Sequence, residues 1–246
     1  MIYNNSHQPY LYSYLNDKYL LYCYCDHESS LLFHTEEYKI KLWKIHLKLL
    51  FGQNRDIILP TINNHKDYGN IVLECNPHIY QNFETGISYL CYTAGFQKNE
   101  TAHIEYFLCR VKINDLSTLD IDNTTFEILQ KAFTGTIFSE NIIYEAVNKT
   151  NHTSVLMKNN EIIDINLKYN HIYKIANIFD TKNFIITYSI EDNSQHSCVL
   201  DSDLQPIREI KNSLGEPVYK CSLLDNLLVY ACGDEDSDRY LKLESL

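Results

Sequence analysis

Glycine and proline are scarce, 7 and 5 in 246 residues. That excludes collagen-like and low-complexity classes and leaves few residues free to take left-handed turns at no steric cost. No stretch approaches the ~18 apolar residues that a membrane-spanning helix needs. Basic residues are outnumbered, 21 Lys and Arg against 32 Asp and Glu, for a formal net charge of −11. A field of that sign repels polyanions, so neither nucleic acid nor a membrane surface is expected as a partner. Eight cysteines stand at 23, 25, 75, 91, 109, 198, 221 and 232 without one Cys-x-x-Cys pair. Cys23 and Cys25 would share a strand face at roughly 7 Å, too far for a relaxed disulfide. The opening Met1-Ile-Tyr-Asn-Asn-Ser-His is polar and is not read as an export signal. The expectation is a cytoplasmic protein whose thiols stay reduced and pack as small hydrophobes. The Asn-x-Ser/Thr triplets at Asn4, Asn99, Asn123, Asn148 and Asn151 then follow from an Asn-rich composition. Phosphate-binding glycine loops, the Gly-x-Ser-x-Gly elbow and His-Glu-x-x-His are all missing, so no cofactor is expected. The acidic run Gly233-Asp-Glu-Asp-Ser-Asp238 lacks the spacing of an EF-hand and reads as a solvated turn. His7, His78 and His171 are the one histidine set that blades of a ring would bring to one mouth. They are read as polar contacts, and no metal is expected.

What the chain has in quantity is tyrosine, 20 residues, many at the end of short apolar runs. The runs are Tyr19-Leu-Leu-Tyr22, Tyr89-Leu-Cys-Tyr92, Asn141-Ile-Ile-Tyr144, Phe184-Ile-Ile-Thr-Tyr188 and Leu227-Leu-Val-Tyr230. Each is composed of strand formers and follows a turn-like spot such as Asn16-Asp17 or Asp225-Asn226. From Tyr22 to Tyr92 is 70 residues, then 52 to Tyr144, 44 to Tyr188 and 42 to Tyr230. The later spacings suit a four-stranded propeller blade of about 40–50 residues. The first is stretched by a turn-rich linker over 51–70.

The reading is therefore an all-β, single-domain five-bladed β-propeller with units of about 1–60, 61–130, 131–168, 169–212 and 213–246. In the first unit the third strand is expected over Ser30–Thr35 and a fourth, amphipathic strand over Lys39–Leu50, with a helix as its competitor. The fifth unit runs out after three strands. Met1-Ile-Tyr-Asn4 is expected to supply the missing one and so close the ring between the two termini. A β-sandwich or two-sheet barrel is the alternative.

In a propeller the innermost strands begin at one mouth of an axial channel. The residues expected there are His7, Gln8 and Tyr10, then Glu74, Asn76 and His78, then Thr134 and Thr136, then His171, Tyr173 and Lys174, and last Glu216, Tyr219 and Lys220. Amides and carboxylates hydrogen-bond hydroxyls and tyrosine stacks on a sugar ring, so the set suits a carbohydrate or other small polar ligand. The bland reading is a channel plugged by its own side chains.

The opening Gln8-Pro-Tyr-Leu-Tyr-Ser-Tyr-Leu-Asn-Asp-Lys-Tyr-Leu-Leu-Tyr22 resembles that of the five-bladed glycoside hydrolase superfamily of arabinanases, xylosidases and fructosidases. Glu74-Cys-Asn-Pro-His-Ile-Tyr80 resembles the segment carrying that family's general acid, with one residue inserted. The resemblance implies a carbohydrate-active propeller with Glu74 as acid, and Glu216 is the remaining candidate for base. It also marks a departure. Where the family has its catalytic Asp this chain has Gln8, and an amide cannot take a proton from water at neutral pH. Hydrolysis needs two opposed carboxyl groups. The function is thus read as hydrolase-like or as a glycan binder without catalysis. The other reading is a scaffold for a protein partner, met through the faces or through the basic cluster Lys39, Lys41, Lys44 and Lys48.

Overall fold

The five anchoring tyrosines set the architecture, and all five are buried. Each lies on the second strand of a blade and is paired in register with a residue of the third, as Tyr22–His46, Tyr92–Cys109, Tyr144–Met157, Tyr188–His196 and Tyr230–Lys242 show. The computed structural model describes residues 2–4, 6–25, 43–50, 56–99, 102–138, 140–147, 154–232 and 240–246. Those residues form strands and no helix.

The chain opens with β1 (Ile2–Asn4). Blade 1 follows as β2 (Ser6–Tyr14), β3 (Asp17–Cys25), β4 (Trp43–Leu49) and β5 (Asp56–Ile58). A short β6 (Asn64–His65) leads into blade 2, made of β7 (Gly69–Gln81), β8 (Ser88–Gln97), β9 (Glu105–Asp115) and β10 (Asp120–Lys131). Blade 3 is β11 (Gly135–Phe138), β12 (Asn141–Val147), β13 (Ser154–Lys158) and β14 (Glu161–Ile163). Blade 4 is β15 (His171–Asn177), β16 (Phe184–Ser189), β17 (Gln195–Leu200) and β18 (Pro206–Glu209). Blade 5 has β19 (Ser222–Leu224), β20 (Leu227–Cys232) and β21 (Tyr240–Ser245). Its outer strand is β1, which pairs antiparallel with β21 from Ile2–Lys242 to Asn4–Tyr240. The first strand of the chain thus completes the last sheet, as the run-out of the fifth unit implied.

The inner strands stand in a ring. β19 touches β2, β2 touches β7, β7 touches β11 and β11 touches β15. One parallel bridge, Trp43–Leu73, also joins blade 1 to blade 2 at the sheet level. The apolar core is divided among the seams. Leu11, Leu20, Ile79, Leu90 and Val229 belong to the largest cluster, which unites blades 1, 2 and 5. Ile143, Leu156, Ile175 and Phe184 join blades 3 and 4, and Ile185, Val199 and Leu228 join blades 4 and 5. Burial of each such side chain stabilises by about 1.5–3 kcal/mol, so no blade is expected to stand alone.

Two strand assignments change. The third strand of blade 1 is Trp43–Leu49, which pairs directly with β3, and the fourth is Asp56–Ile58. The expected third strand over 30–35 lies outside the described residues, as do Lys39 and Lys41 of the basic cluster and the acidic run 233–238. The 43–49 segment alternates apolar and polar residues, and that period of two prevails over the competing helix. The inner strand of blade 5 is Ser222–Leu224, and Lys220, at a positive φ of 45°, lies just before it.

Candidate functional site

The mouth of the axis is shaped by a local device that blades 1 and 2 share. Gln8-Pro9 and Asn76-Pro77 are both an amide residue followed by proline. Both amide residues hold positive φ, 55° and 52°, and each sits in a register shift of its inner strand, between His7 and Tyr10 and between Cys75 and His78. Proline disfavours helical backbone in the residue before it and donates no ladder hydrogen bond, so the strand bulges there. A bulge also moves the residues on its two sides onto different faces. Beyond it Tyr10 and His78 turn to the axis. Before it Glu74 turns away from the axis.

Around the mouth the blades are tied in sequence. Asn76 N–H donates to Gln8 Oε1 (3.0 Å), joining blades 1 and 2. Asn76 Nδ2 and Thr93 Oγ1 donate to the Phe133 carbonyl (3.1 and 2.8 Å), joining blade 2 to the entry of blade 3. Ile175 N–H donates to Thr134 Oγ1 (3.1 Å), Lys220 N–H to Thr187 Oγ1 (3.2 Å) and Leu11 N–H to Ser222 Oγ (2.9 Å), which completes the circuit. The buried Lys174 ammonium donates to the carbonyls of Pro9 and Cys221 and so spans blades 4, 1 and 5. Burial pushes that ammonium down to about 8.

Below this circuit the axis is filled. Tyr10 Oη and Asn177 Nδ2 both donate to the Ile79 carbonyl (3.0 and 2.6 Å). The Tyr10 ring meets the His78 ring edge-on at 6.2 Å. His78 Nδ1 lies 3.1 Å from the Asn76 carbonyl, which can only accept, so Nδ1 carries the proton. Burial pushes His78 down to about 4, and the Lys174 cation adds to the effect. Asn76 Oδ1, His78 Nε2, Thr136 Oγ1 and Asn177 Oδ1 are buried polar atoms with no protein partner. They make the filled axis polar rather than oily.

The expected site residues therefore divide. Gln8, Asn76 and Thr134 are buried in the circuit of blade contacts, and Tyr10 and His78 plug the axis. Tyr173, Tyr219 and Lys220 are half-buried where β15 and β19 begin, with the Lys220 ammonium 6.0 Å from the Tyr219 ring centre. Burial raises the Cys75 thiol of blade 2 to about 12, against the opposing effects of its Thr93 hydrogen bond and the Lys220 charge. His7 lies on β2 opposite Cys23. His171 is exposed, and its Nδ1 is 3.4 Å from Ser154 Oγ, away from His78. Glu74 is fully buried between blades 1 and 2, where it accepts from Thr61 Oγ1 and from Ile45 N–H (3.2 Å). Glu216 is exposed on a turn closed by Asn212, whose Nδ2 donates to Glu216 Oε2 (2.8 Å). That turn is held to the third strand of blade 5 by Ser213 N–H on Glu244 (3.0 Å). The two carboxylates are not brought together.

Sequence reasoning passed over two aromatic residues. Phe133 is 41% exposed beside the carbonyl that Asn76 and Thr93 hold, and the Tyr106 ring meets it edge-on at 5.1 Å. The available signal was the adjacency of Phe133 to Thr134, itself expected at the mouth.

No family model matches the chain, and no curated protein matches it. Solved structures do. An α-L-arabinofuranosidase from Lactobacillus brevis is 11% identical and superposes with a TM-score of 0.57 over 99% of this chain and 91% of that one. A GH43_1 enzyme from Xanthomonas citri complexed with xylotriose is 8% identical, with a TM-score of 0.56 over 98% and 87%. A family 117 glycoside hydrolase from Zobellia galactanivorans is 10% identical, with a TM-score of 0.55 over 100% and 86%. At these identities the likeness is one of fold, a five-bladed propeller matched along its whole length.

Proposed function

We propose that this propeller binds a carbohydrate at the axial mouth and does not hydrolyse it. The observation that carries the reading is the disposition of the polar groups. Gln8 stands where the resembled family has its base, and its Oε1 is committed to Asn76 N–H. Glu74 is enclosed between two blades and Glu216 lies on an outer turn. Glycosidases act through carboxyl groups roughly 5–9.5 Å apart across the scissile bond, and these two are not so arranged. The partly exposed residues near the starts of inner strands β11, β15 and β19 are Phe133, Tyr173, Tyr219 and Lys220, three rings and one cation. Such a set stacks on a sugar face and donates to its hydroxyls.

The similar solved proteins act on or hold arabinose- and xylose-containing sugars by their descriptions, which makes those sugars the first to test. Titration calorimetry with xylotriose and with arabino-oligosaccharides is expected to give saturable binding. Phe133→Ala and Tyr173→Ala should each weaken it about tenfold, which corresponds to about 1.4 kcal/mol. Absence of binding to every oligosaccharide tried, or affinity indifferent to both substitutions, would remove the mouth as the site.

A further inference from the structure

The outer half of blade 4 carries a hydrogen-bonded series unrelated to the mouth. Ser194 lies in the turn between β16 and β17. That turn is fixed by Ile190 N–H on the Ser194 carbonyl (3.1 Å), Asn193 N–H on the Ile190 carbonyl (2.9 Å) and Ser194 N–H on the Asp192 carboxylate (2.8 Å). Ser194 Oγ is 2.9 Å from His196 Nε2, and His196 Nδ1 is 2.7 Å from Glu209 Oε1. Lys211 Nζ holds the other oxygen of Glu209 at 3.2 Å. The Tyr188 ring stacks on the imidazole, 5.9 Å between centres and 25° between planes.

Chemistry assigns the direction of each bond. The bond from His196, with the Lys211 cation, holds the Glu209 carboxyl below its ordinary value, so it is a carboxylate and only accepts. His196 Nδ1 therefore carries the ring proton. Nε2 then offers its lone pair to the serine hydroxyl. The series reads nucleophile, base and orienter of the base, each within hydrogen-bond reach of the next. β17 and β18 pair next to one another, which is why the imidazole and the carboxylate meet across strands. A concavity of roughly 680 Å³ opens beside the turn, bordered by Ile190, Asp192, Leu167, Lys168 and Tyr169.

We propose that Ser194, His196 and Glu209 form an acyl-accepting site for small carboxylic esters with a good leaving group. Ser194 Oγ adds to the ester carbonyl as its proton passes to His196 Nε2. The tetrahedral adduct collapses by breaking the bond to the leaving oxygen, which takes the proton back from Nε2. Water then attacks the acyl-serine by the same route, releasing the acid and restoring the hydroxyl. The N–H groups of Asn193 and Ser194 are both spent inside the turn, so neither is aimed at a developing oxyanion. That restricts the site to esters whose leaving group departs without such help.

The test uses the full chain with p-nitrophenyl acetate and, separately, a fluorophosphonate probe. The expected result is a burst of p-nitrophenolate and a modified Ser194 on peptide mapping. Ser194→Ala abolishes both, and His196→Gln slows modification by a factor of 100 or so, the usual contribution of a general base. If His196→Gln does not fold, Glu209→Gln carries the same test, since loss of the orienting carboxylate must also slow it. An unmodified Ser194, or modification at an unchanged rate in the folded variant, overturns the proposal. The site shares no residue with the axial mouth, so either reading can fail without the other.

Discussion

His78 shows what position on the axis does to one side chain. Its imidazole is fully buried, its Nδ1–H is spent on the Asn76 carbonyl, and the Lys174 ammonium is close enough to oppose a second charge. The folded-state value of about 4 lies below the ordinary 6.5, so between those values the unfolded chain binds the proton and the folded one does not. Stability from this group is complete above about 6.5 and is lost as pH falls toward 4. The full loss is about 3 kcal/mol for a shift of this size. Urea unfolding of the wild type and of His78→Gln between pH 7 and pH 4 checks it. The wild-type curve should fall further by about that amount, because carboxylates common to both proteins cancel in the difference. Equal curves would mean that His78 is not sealed in the axis.

The strand is the scale at which the chain is most easily read, and also the scale at which it misled. The run of strand formers ending in tyrosine marks the second strand of every blade. The ring is buried at the corresponding place on each second strand, and one position filled five times leaves a visible repeat. Tyr92→Ala, which empties a fully enclosed place on β8, should cost about 3–5 kcal/mol in chemical unfolding. Tyr173→Ala at the half-exposed mouth should cost far less, and equal losses would contradict the assignment of roles. Turns were legible despite the scarcity of glycine, because six of the twelve non-glycine residues at positive φ among the described residues are Asn or Asp. The face of a residue near a bulge was not legible. Counting by twos places Glu74, Asn76 and His78 on one face. The register shift at Asn76-Pro77 breaks that count and sends Glu74 toward Ile45 and Thr61. A repeated amide-proline pair was the written signal of the bulge. The meeting of Ser194, His196 and Glu209 left no comparable signal, because it depends on the pairing of two strands rather than on spacing.

At the scale of the whole molecule, five sheets share their apolar faces in pairs, and a circuit of hydrogen bonds at the mouth binds each blade to the next. The last sheet is completed by β1 alone, through three paired residues. Deleting residues 1–4 bares β21 as an unpaired edge. A thermal melt of that deletion is expected to fall by roughly 5 °C, about 1–3 kcal/mol for a chain of this length, with increased aggregation. An unchanged melt would show that β1 adds nothing to the ring. The same ring explains why a hydrolase-like frame need not hydrolyse. Propeller geometry fixes where the inner strands begin, while single residues decide whether carboxyl groups stand there. At the mouth an amide holds the next blade, and the nearest buried glutamate braces a seam. The most direct test is prolonged incubation with xylotriose and arabino-oligosaccharides, with products followed by chromatography. Intact oligosaccharide, alongside saturable binding, is the result expected. Shortened products that disappear in Glu74→Gln would contradict the account and make Glu74 a catalytic acid.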